Sequence, residues 1–130
     1  MKQFIAYLTL VVHDYDEAIA FYTQKLKFNL LEDSVLSPVK RWVRIAPPGS
    51  TETSLLLAKA ATDEQRRTVG NQTGGRVALF LYTDNFDRDY KFMQQQGIVF
   101  NGPVRTETYG KVVVFEDLYS NLWDLIEPVN

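Results

Sequence analysis

Residues 3–26 read QFIAYLTLVVHDYDEAIAFYTQKL, and this stretch decides the fold because its periodicity changes once, at His13. Residues 3–12 are mostly β-branched or apolar, which predicts a strand buried on both faces. Asp14 then offers a helix N-cap, with Glu17 at the spacing of a capping box. Apolar residues follow at helical spacing, namely Tyr15, Ala18, Ile19, Tyr22 and Leu26. The stretch therefore predicts a strand that leads directly into an amphipathic helix.

The rest of the first half predicts three more strands and a short helix. Turn residues separate strand-like segments at 28–35, 39–46 and 53–60. Thr62 and Gln65 form a second capping-box pattern, which predicts a helix over 63–69. Residues 70–75, GNQTGG, then have the composition of a linker.

The same order of elements returns after the linker. A strand at 76–83 ends in the corner TDNFD, residues 83–87, which corresponds to VHDYD at 12–16. Either Asp84 or Asn85 is expected to cap a helix that ends at Gly97. Further strand segments lie at 98–100, 104–108, 111–115 and 122–127.

Each half thus predicts a βαβββ module, about residues 1–70 and 75–130. A sheet of this kind exposes an apolar face that cannot be left in water, so two modules are expected to curl together. The predicted fold is a single α+β domain that forms a cup-shaped half-barrel around a cleft.

Composition excludes several classes of function. The chain has 130 residues, no cysteine and one histidine, which excludes disulfide frameworks, zinc–cysteine sites and, within one chain, any site that needs two imidazoles. A net charge of -2 argues against a nucleic-acid partner. No apolar run is long enough for a membrane span, and the first residues lack a secretion signal. We therefore expect a soluble cytoplasmic protein.

Four segments resemble the vicinal oxygen chelate superfamily, which includes glyoxalase I, bleomycin-resistance proteins and extradiol dioxygenases. They are residues 10–22, LVVHDYDEAIAFY; 26–28, LKF; 75–79, GRVAL; and 115–128, FEDLYSNLWDLIEP. The sequence departs from the family at Lys27, where glycine is usual, and at Leu118 and Ser120, where the family has proline and glycine. The resemblance implies the two-module fold and a homodimer.

The resemblance also implies four inward positions that bind a divalent ion in glyoxalase-like members. Here they fall on Tyr7, Leu56 or an adjacent leucine, Arg76 and Asp124. Only Asp124 is a suitable ligand, because leucine has no lone pair and a guanidinium repels cations. Glyoxalase I chemistry needs the ion to stabilise an enediolate, so lactoylglutathione lyase activity is not expected. We expect neither a metal nor another cofactor.

Arg76 and Asp124 should meet if their strands are neighbours, as the resemblance implies. One hypothesis is that the carboxylate holds the arginine, whose remaining donors bind an anionic or carbonyl oxygen of a ligand. The other is that the ion pair fills the vacated metal position and only holds the half-barrel closed. Both hypotheses stay open at this point.

Period-2 counting predicts which other side chains line the cleft. Trp42 shares a strand face with Arg44 and either packs in the core or stacks on a ligand. Glu107 and Tyr109 are expected at the rim. The predicted ligand-binding residues are Thr9, Trp42, Arg76, Phe80, Tyr82, Tyr109 and Asp124.

These residues predict metal-independent binding of a small, partly hydrophobic organic molecule with an anionic or carbonyl end. Sequestration, sensing and catalysis all stay open. In a catalytic version, Arg76 would be the electrophilic clamp and Tyr7 or Glu107 the proton-transfer group.

Two alternatives remain. One is a metal-dependent lyase or isomerase with noncanonical ligands such as Asp124, Glu107 and His13. The other is a partner-binding module whose cleft is plugged by Trp42, Phe80 and Tyr82.

Overall fold

The computed structural model describes residues 1–129, which divide into two compact units, Met1–Val69 and the segment from Gly70 onward. The first contains β1 (Tyr7–Val12), α1 (Tyr15–Ala20), a π-helical segment (Phe21–Lys25), β2 (Asn29–Ser37), β3 (Lys40–Ala46), β4 (Ser54–Lys59) and α2 (Asp63–Thr68). The second contains β5 (Leu79–Tyr82), α3 (Phe86–Gln95), β6 (Arg105–Glu107), β7 (Gly110–Glu116) and β8 (Leu122–Pro128). No helix in residues 1–129 is long and apolar enough to cross a membrane.

Each unit is built on a four-stranded mixed sheet. The strand orders are β1-β4-β3-β2 and β5-β8-β7-β6. In both sheets the first strand pairs in parallel with the last, β1 with β4 and β5 with β8, and the other pairs are antiparallel. The predicted α+β fold of two βαβββ modules is therefore confirmed.

In the first unit, α1 covers one face of the sheet. The side chain of Asp14 caps the helix by accepting a hydrogen bond from the backbone N–H of Glu17 at 2.9 Å. Arg41 of β3 lies on the covered face, and its guanidinium donates to Asp16 at 2.9 Å and to Asp33 at 2.7 Å. The covered face supplies most of the core of this unit, including Leu10, Val12, Val43, Ile45, Leu55 and Leu57.

In the second unit, α3 covers the corresponding face. The backbone N–H of Phe86 at the start of α3 donates to Glu127 of β8 at 2.7 Å. Lys111 of β7 pairs with Asp87 of α3 at 2.7 Å. The buried residues on this side include Phe86, Met93, Val113, Phe115, Trp123 and Leu125.

Three predicted strands differ from the structure. The strand predicted at 3–12 begins at Tyr7, and its first half is not buried, because Tyr7 and Leu8 are 45% and 44% exposed. The strand predicted at 76–83 is reduced to Leu79–Tyr82. The segment 98–100 contributes only an isolated bridge between Phe100 and Phe115. Apolar composition predicted these segments, but a strand ends where the neighbouring strand no longer offers hydrogen-bond partners, and local composition does not show that position.

The two sites where the sequence departs from the family pattern adopt left-handed backbone. Lys27 has φ 60° and Ser120 has φ 70°. A residue with a Cβ atom is strained there by about 1–2 kcal/mol, whereas glycine adopts this conformation readily. The structure therefore explains why glycine is suited to these two positions.

We predict that Ser120→Gly and Lys27→Gly each stabilise the protein, by about 1 kcal/mol, because they remove this strain. The free energy of unfolding in urea measures the effect. Ser50→Gly is the matched control, since Ser50 is outside the left-handed region and glycine there only adds freedom to the unfolded chain. A loss of stability in both test variants would contradict the explanation.

Candidate functional site

The face of the first sheet opposite α1 carries aromatic and polar side chains. Strand alternation and register bring Tyr7 beside Ser54, and Thr9 beside Leu56 and Arg44. Trp42 and Arg44 share this face as predicted, and the register places Tyr7 and Thr9 on it too, because all four alternate with the residues that α1 covers. This face is only partly shielded, because Tyr7 is 45% exposed.

Arg44 is at the centre of this face. Its Nε donates to the Oε1 atom of Glu32 at 2.9 Å, and its Nη1 donates to the hydroxyl of Ser54 at 3.3 Å. The guanidinium carbon lies 5.2 Å from the centroid of the Tyr7 ring, and that ring meets Trp42 edge-on at 6.0 Å. Two partners and one ring thus fix the orientation of the guanidinium.

The remaining nitrogen of Arg44 is available to a ligand. Within residues 1–69, Nη2 makes no hydrogen bond, while Nε and Nη1 are both engaged. An oriented guanidinium with unused donors suits a carboxylate or carbonyl oxygen. The adjacent rings of Tyr7 and Trp42 offer apolar surface next to it.

The face of the second sheet opposite α3 is largely apolar, with one acid in it. In the parallel register Phe80 lies beside Asp124 and Tyr82 beside Ile126. Val114 lies on the other side of Asp124. Phe80 and Tyr82 are 62% and 67% exposed, so this face presents two aromatic side chains to solvent.

Asp124 is the one acid on this face that is buried, with 7% of the residue exposed. Its Oδ1 atom is sealed from solvent and has no hydrogen-bond partner, the single such side-chain atom in residues 1–129. Burial raises the pKa of the carboxyl above its ordinary value, and the nearby charge of Arg105 opposes this only partly. The structure therefore leaves a carboxyl group without the partner that buried acids normally have.

The predicted ion pair between Arg76 and Asp124 is absent. Arg76 lies in a bend before β5 and is exposed, and the residue beside Asp124 in register is Phe80, four positions later. No nitrogen of Arg76 lies within 4.0 Å of a carboxylate in residues 70–129. The register of β5 and β8 therefore contradicts both hypotheses about this pair, in which it either oriented Arg76 toward a ligand or filled the metal position.

The other predicted site residues, Glu107, Tyr109 and His13, lie outside the two strands that flank Asp124. Glu107 ends β6 and pairs with Arg105 at 3.3 Å. Tyr109 lies in the turn between β6 and β7 and is 48% exposed. In the first unit, His13 is exposed at the corner between β1 and α1.

The donor set does not fit a divalent cation. Phe80 and Val114 flank Asp124, and neither has a lone pair for a metal. Across residues 1–129, no three His, Cys, Asp or Glu side chains come together in a group that could hold an ion. Of the noncanonical set of Asp124, Glu107 and His13, the two members in the second unit, Asp124 and Glu107, therefore belong to no such group.

Sequence reasoning missed the partners of Arg44. Ser54 could have been found by alternation, because it lies two residues before Leu56 on β4. Glu32 faces Arg44 only because the register of β2 shifts between Leu30 and Glu32, an irregularity that no local pattern announces.

We predict that Asp124→Asn changes the pH dependence of stability. Since the folded state raises the pKa of Asp124, the folded protein holds its proton more tightly than the unfolded chain does. The contribution of Asp124 to stability is thus present at low pH and is lost as pH rises through the raised pKa. The stability of the variant relative to the parent should therefore increase over this window and then level off.

Urea unfolding at a series of pH values measures this difference. Asp33→Asn is the control with the opposite sign, because the hydrogen bond from Arg41 lowers the pKa of Asp33. Asp33 stabilises the protein above its unfolded pKa and ceases to do so as pH falls. A flat difference for Asp124→Asn would show that burial does not penalise its charge.

Comparisons with known proteins agree with this fold. The family model of the Glyoxalase/Bleomycin resistance protein/Dioxygenase superfamily matches residues 4–125. A protein of Shewanella frigidimarina (strain NCIMB 400) is 58% identical over 128 residues, which are 98% of this chain and 95% of the relative. The crystal structure of UcmS2 has a TM-score of 0.84 at 25% identity, over 98% of this chain and 99% of that one. TnmS3, an antibiotic binding protein from Streptomyces sp. CB03234, has a TM-score of 0.79 at 27% identity, over 98% of both chains.

Proposed function

Because the chain belongs to the Glyoxalase/Bleomycin resistance protein/Dioxygenase superfamily, we propose that it binds a small, partly hydrophobic organic molecule with an anionic or carbonyl group, and that it does so without a metal ion. The similarity to TnmS3, an antibiotic binding protein, supports a binding role. The unsuitable donors around Asp124 support independence from metal.

The observation that carries the proposal is the arrangement of Arg44, Tyr7 and Trp42. Glu32 and Ser54 hold the guanidinium in place, so a ligand oxygen meets an oriented donor and little side-chain entropy is lost on binding. The two aromatic rings, 6.0 Å apart, can contact the apolar part of the same molecule. Arg44 thereby takes the role that the sequence assigned to Arg76.

We propose that the protein acts as a cytoplasmic homodimer that sequesters or senses its ligand. Thr9, Phe80, Tyr82 and Tyr109 are proposed as further contacts, with Arg76 as an exposed contact outside the strands. If a reaction takes place, either Tyr7 or Glu107 is the proposed proton-transfer group, since each is a titratable side chain on a strand of one of the two sheets.

We predict that aromatic carboxylates and quinones bind more tightly than matched hydrocarbons, and that Arg44→Gln removes this preference. The loss of a charge-assisted hydrogen bond should weaken the binding of a carboxylate by about tenfold. A thermal-shift screen identifies the molecules that bind, and calorimetry gives their dissociation constants.

Two controls accompany Arg44→Gln. Arg41→Gln also removes an ion-paired arginine, but from the face that α1 covers, and should leave the dissociation constants unchanged. Arg44→Lys keeps the charge but not the fork, so it should recover only part of the affinity. If Arg44→Gln bound carboxylates as well as the parent does, Arg44 would not be the anchor.

We also predict that the purified protein contains far less than one equivalent of nickel, zinc or iron after dialysis, because the residues around Asp124 offer one carboxylate and no second donor. Elemental analysis measures the content, and the binding constants from the screen should not change when a chelator is added. Stoichiometric metal, or loss of ligand binding with the chelator, would contradict metal independence.

A further inference from the structure

We propose that Asp124 recognises a hydrogen-bond donor of the bound molecule, a hydroxyl or an N–H group, so that the ligand class narrows to flat apolar molecules that carry such a donor. This inference rests on the proposed function, because it assumes that small molecules bind to the sheet faces. It adds a requirement that neither the family nor the arginine anchor implies.

Two buried aspartates in the second unit differ in their hydrogen bonding. Asp117, which is 6% exposed, accepts hydrogen bonds from the backbone N–H groups of Tyr119 and Asn121, from the side-chain amide of Asn121 and from the indole of Trp123. Asp124 is equally buried at 7%, yet its Oδ1 has no partner. The chain thus satisfies one buried acid fully and leaves the other unpaired.

Within residues 70–129, no charged neighbour supplies the missing partner of Asp124. The strands beside Asp124 place Phe80 and Val114 next to it. The charged groups on this face are Arg105 and Glu107 of β6 and Glu116 of β7, and Arg105 is engaged with Glu107 at 3.3 Å. No ion pair within 4.0 Å joins Arg105 to Asp124 in residues 70–129. The partner must therefore come from outside this set.

The carboxylate of Asp124 determines which group of a ligand can be its partner. An ionised carboxylate can only accept hydrogen bonds, so the partner has to donate. Rotation about the bond between Cβ and Cγ exchanges the two oxygens, so a donor need only reach the carboxyl group. The neighbouring Phe80 and Tyr82 are more than 60% exposed and can contact the rings of a flat molecule. Together these groups suit phenols and aromatic N–H compounds.

The first part of the test needs no ligand. An acid that is retained for binding costs the free protein stability, whereas a structural acid stabilises it. Asp124→Leu and Asp124→Asn should therefore raise the melting temperature at neutral pH, by roughly 3 °C for the leucine variant. Asp117→Asn is the matched control and should lower the melting temperature, since it replaces an acceptor that has four donors. If both Asp124 variants melted below the parent, Asp124 would be structural and the inference would be overturned.

The second part uses 2-naphthol and 2-methoxynaphthalene, in which a methyl group replaces the hydroxyl hydrogen and so removes the donor. NMR titration of the parent protein should give about tenfold tighter binding of 2-naphthol, with shifts in β5 and β8. Asp124→Leu should bind both equally, Asp124→Asn should keep part of the preference through its amide oxygen, and Glu116→Gln should behave as the parent.

The outcomes separate the two proposals. Equal binding of both probes by the parent protein would overturn the inference alone. No binding of either probe would overturn the inference alone if aromatic carboxylates still bind, whereas failure of the carboxylates to bind would contradict the proposed function. A preference for 2-naphthol that Asp124→Leu retains would show that another residue accepts the hydrogen bond of its hydroxyl, and this too would overturn the inference.

Discussion

Parallel pairing of the first and last strands, β1 with β4 and β5 with β8, is the constraint on which each unit depends. Parallel neighbours cannot be joined by a tight turn, so the chain must cross over, and in each unit the crossover begins with a helix. That helix covers one face of the sheet. Strand alternation then sends every second residue to the opposite face, which is how Leu10 and Val12 reach the core while Tyr7 and Thr9 do not.

The two units use their uncovered faces in opposite ways. In the first, the guanidinium of Arg44 is held by Glu32, Ser54 and the Tyr7 ring, while its Nη2 donors stay unused within residues 1–69. In the second, the carboxyl group of Asp124 is buried beside Phe80, and its Oδ1 atom has no hydrogen-bond partner. A donor for a ligand is thus pre-oriented on one sheet, and an acceptor is left unpaired on the other. Both arrangements follow from the strand register, since each depends on which residue of the neighbouring strand lies directly opposite.

The fold was predictable from the sequence because its signals are local and repeated: a cap, a helical stripe and turn residues occur at matching places in both halves. Alternation also predicted the faces of Phe80, Tyr82 and Asp124 correctly. It failed for Arg76 because alternation counts faces but does not say where a strand begins. Arg76 still lies in the bend that follows Gly74 and Gly75, both of which have positive φ, and β5 begins three residues later. Likewise, the pairing of Glu32 with Arg44 requires a register shift in β2, which arises from tertiary packing.

A destabilising feature does not by itself mark a functional residue. Its kind and its place in the fold decide whether a ligand could offset the lost stability. Lys27 and Ser120 adopt left-handed backbone, yet both are exposed and lie outside the strands, where glycine adopts the same conformation without strain. The cost at Asp124 differs in kind, because the unpaired group is a hydrogen-bonding atom, not a strained backbone. Strain at a turn can be relieved only by changing the chain, whereas an unpaired acceptor can be satisfied by another molecule. Since Asp124 also lies beside the exposed ring of Phe80, its cost can be recovered on binding, and this is the property expected of a recognition residue.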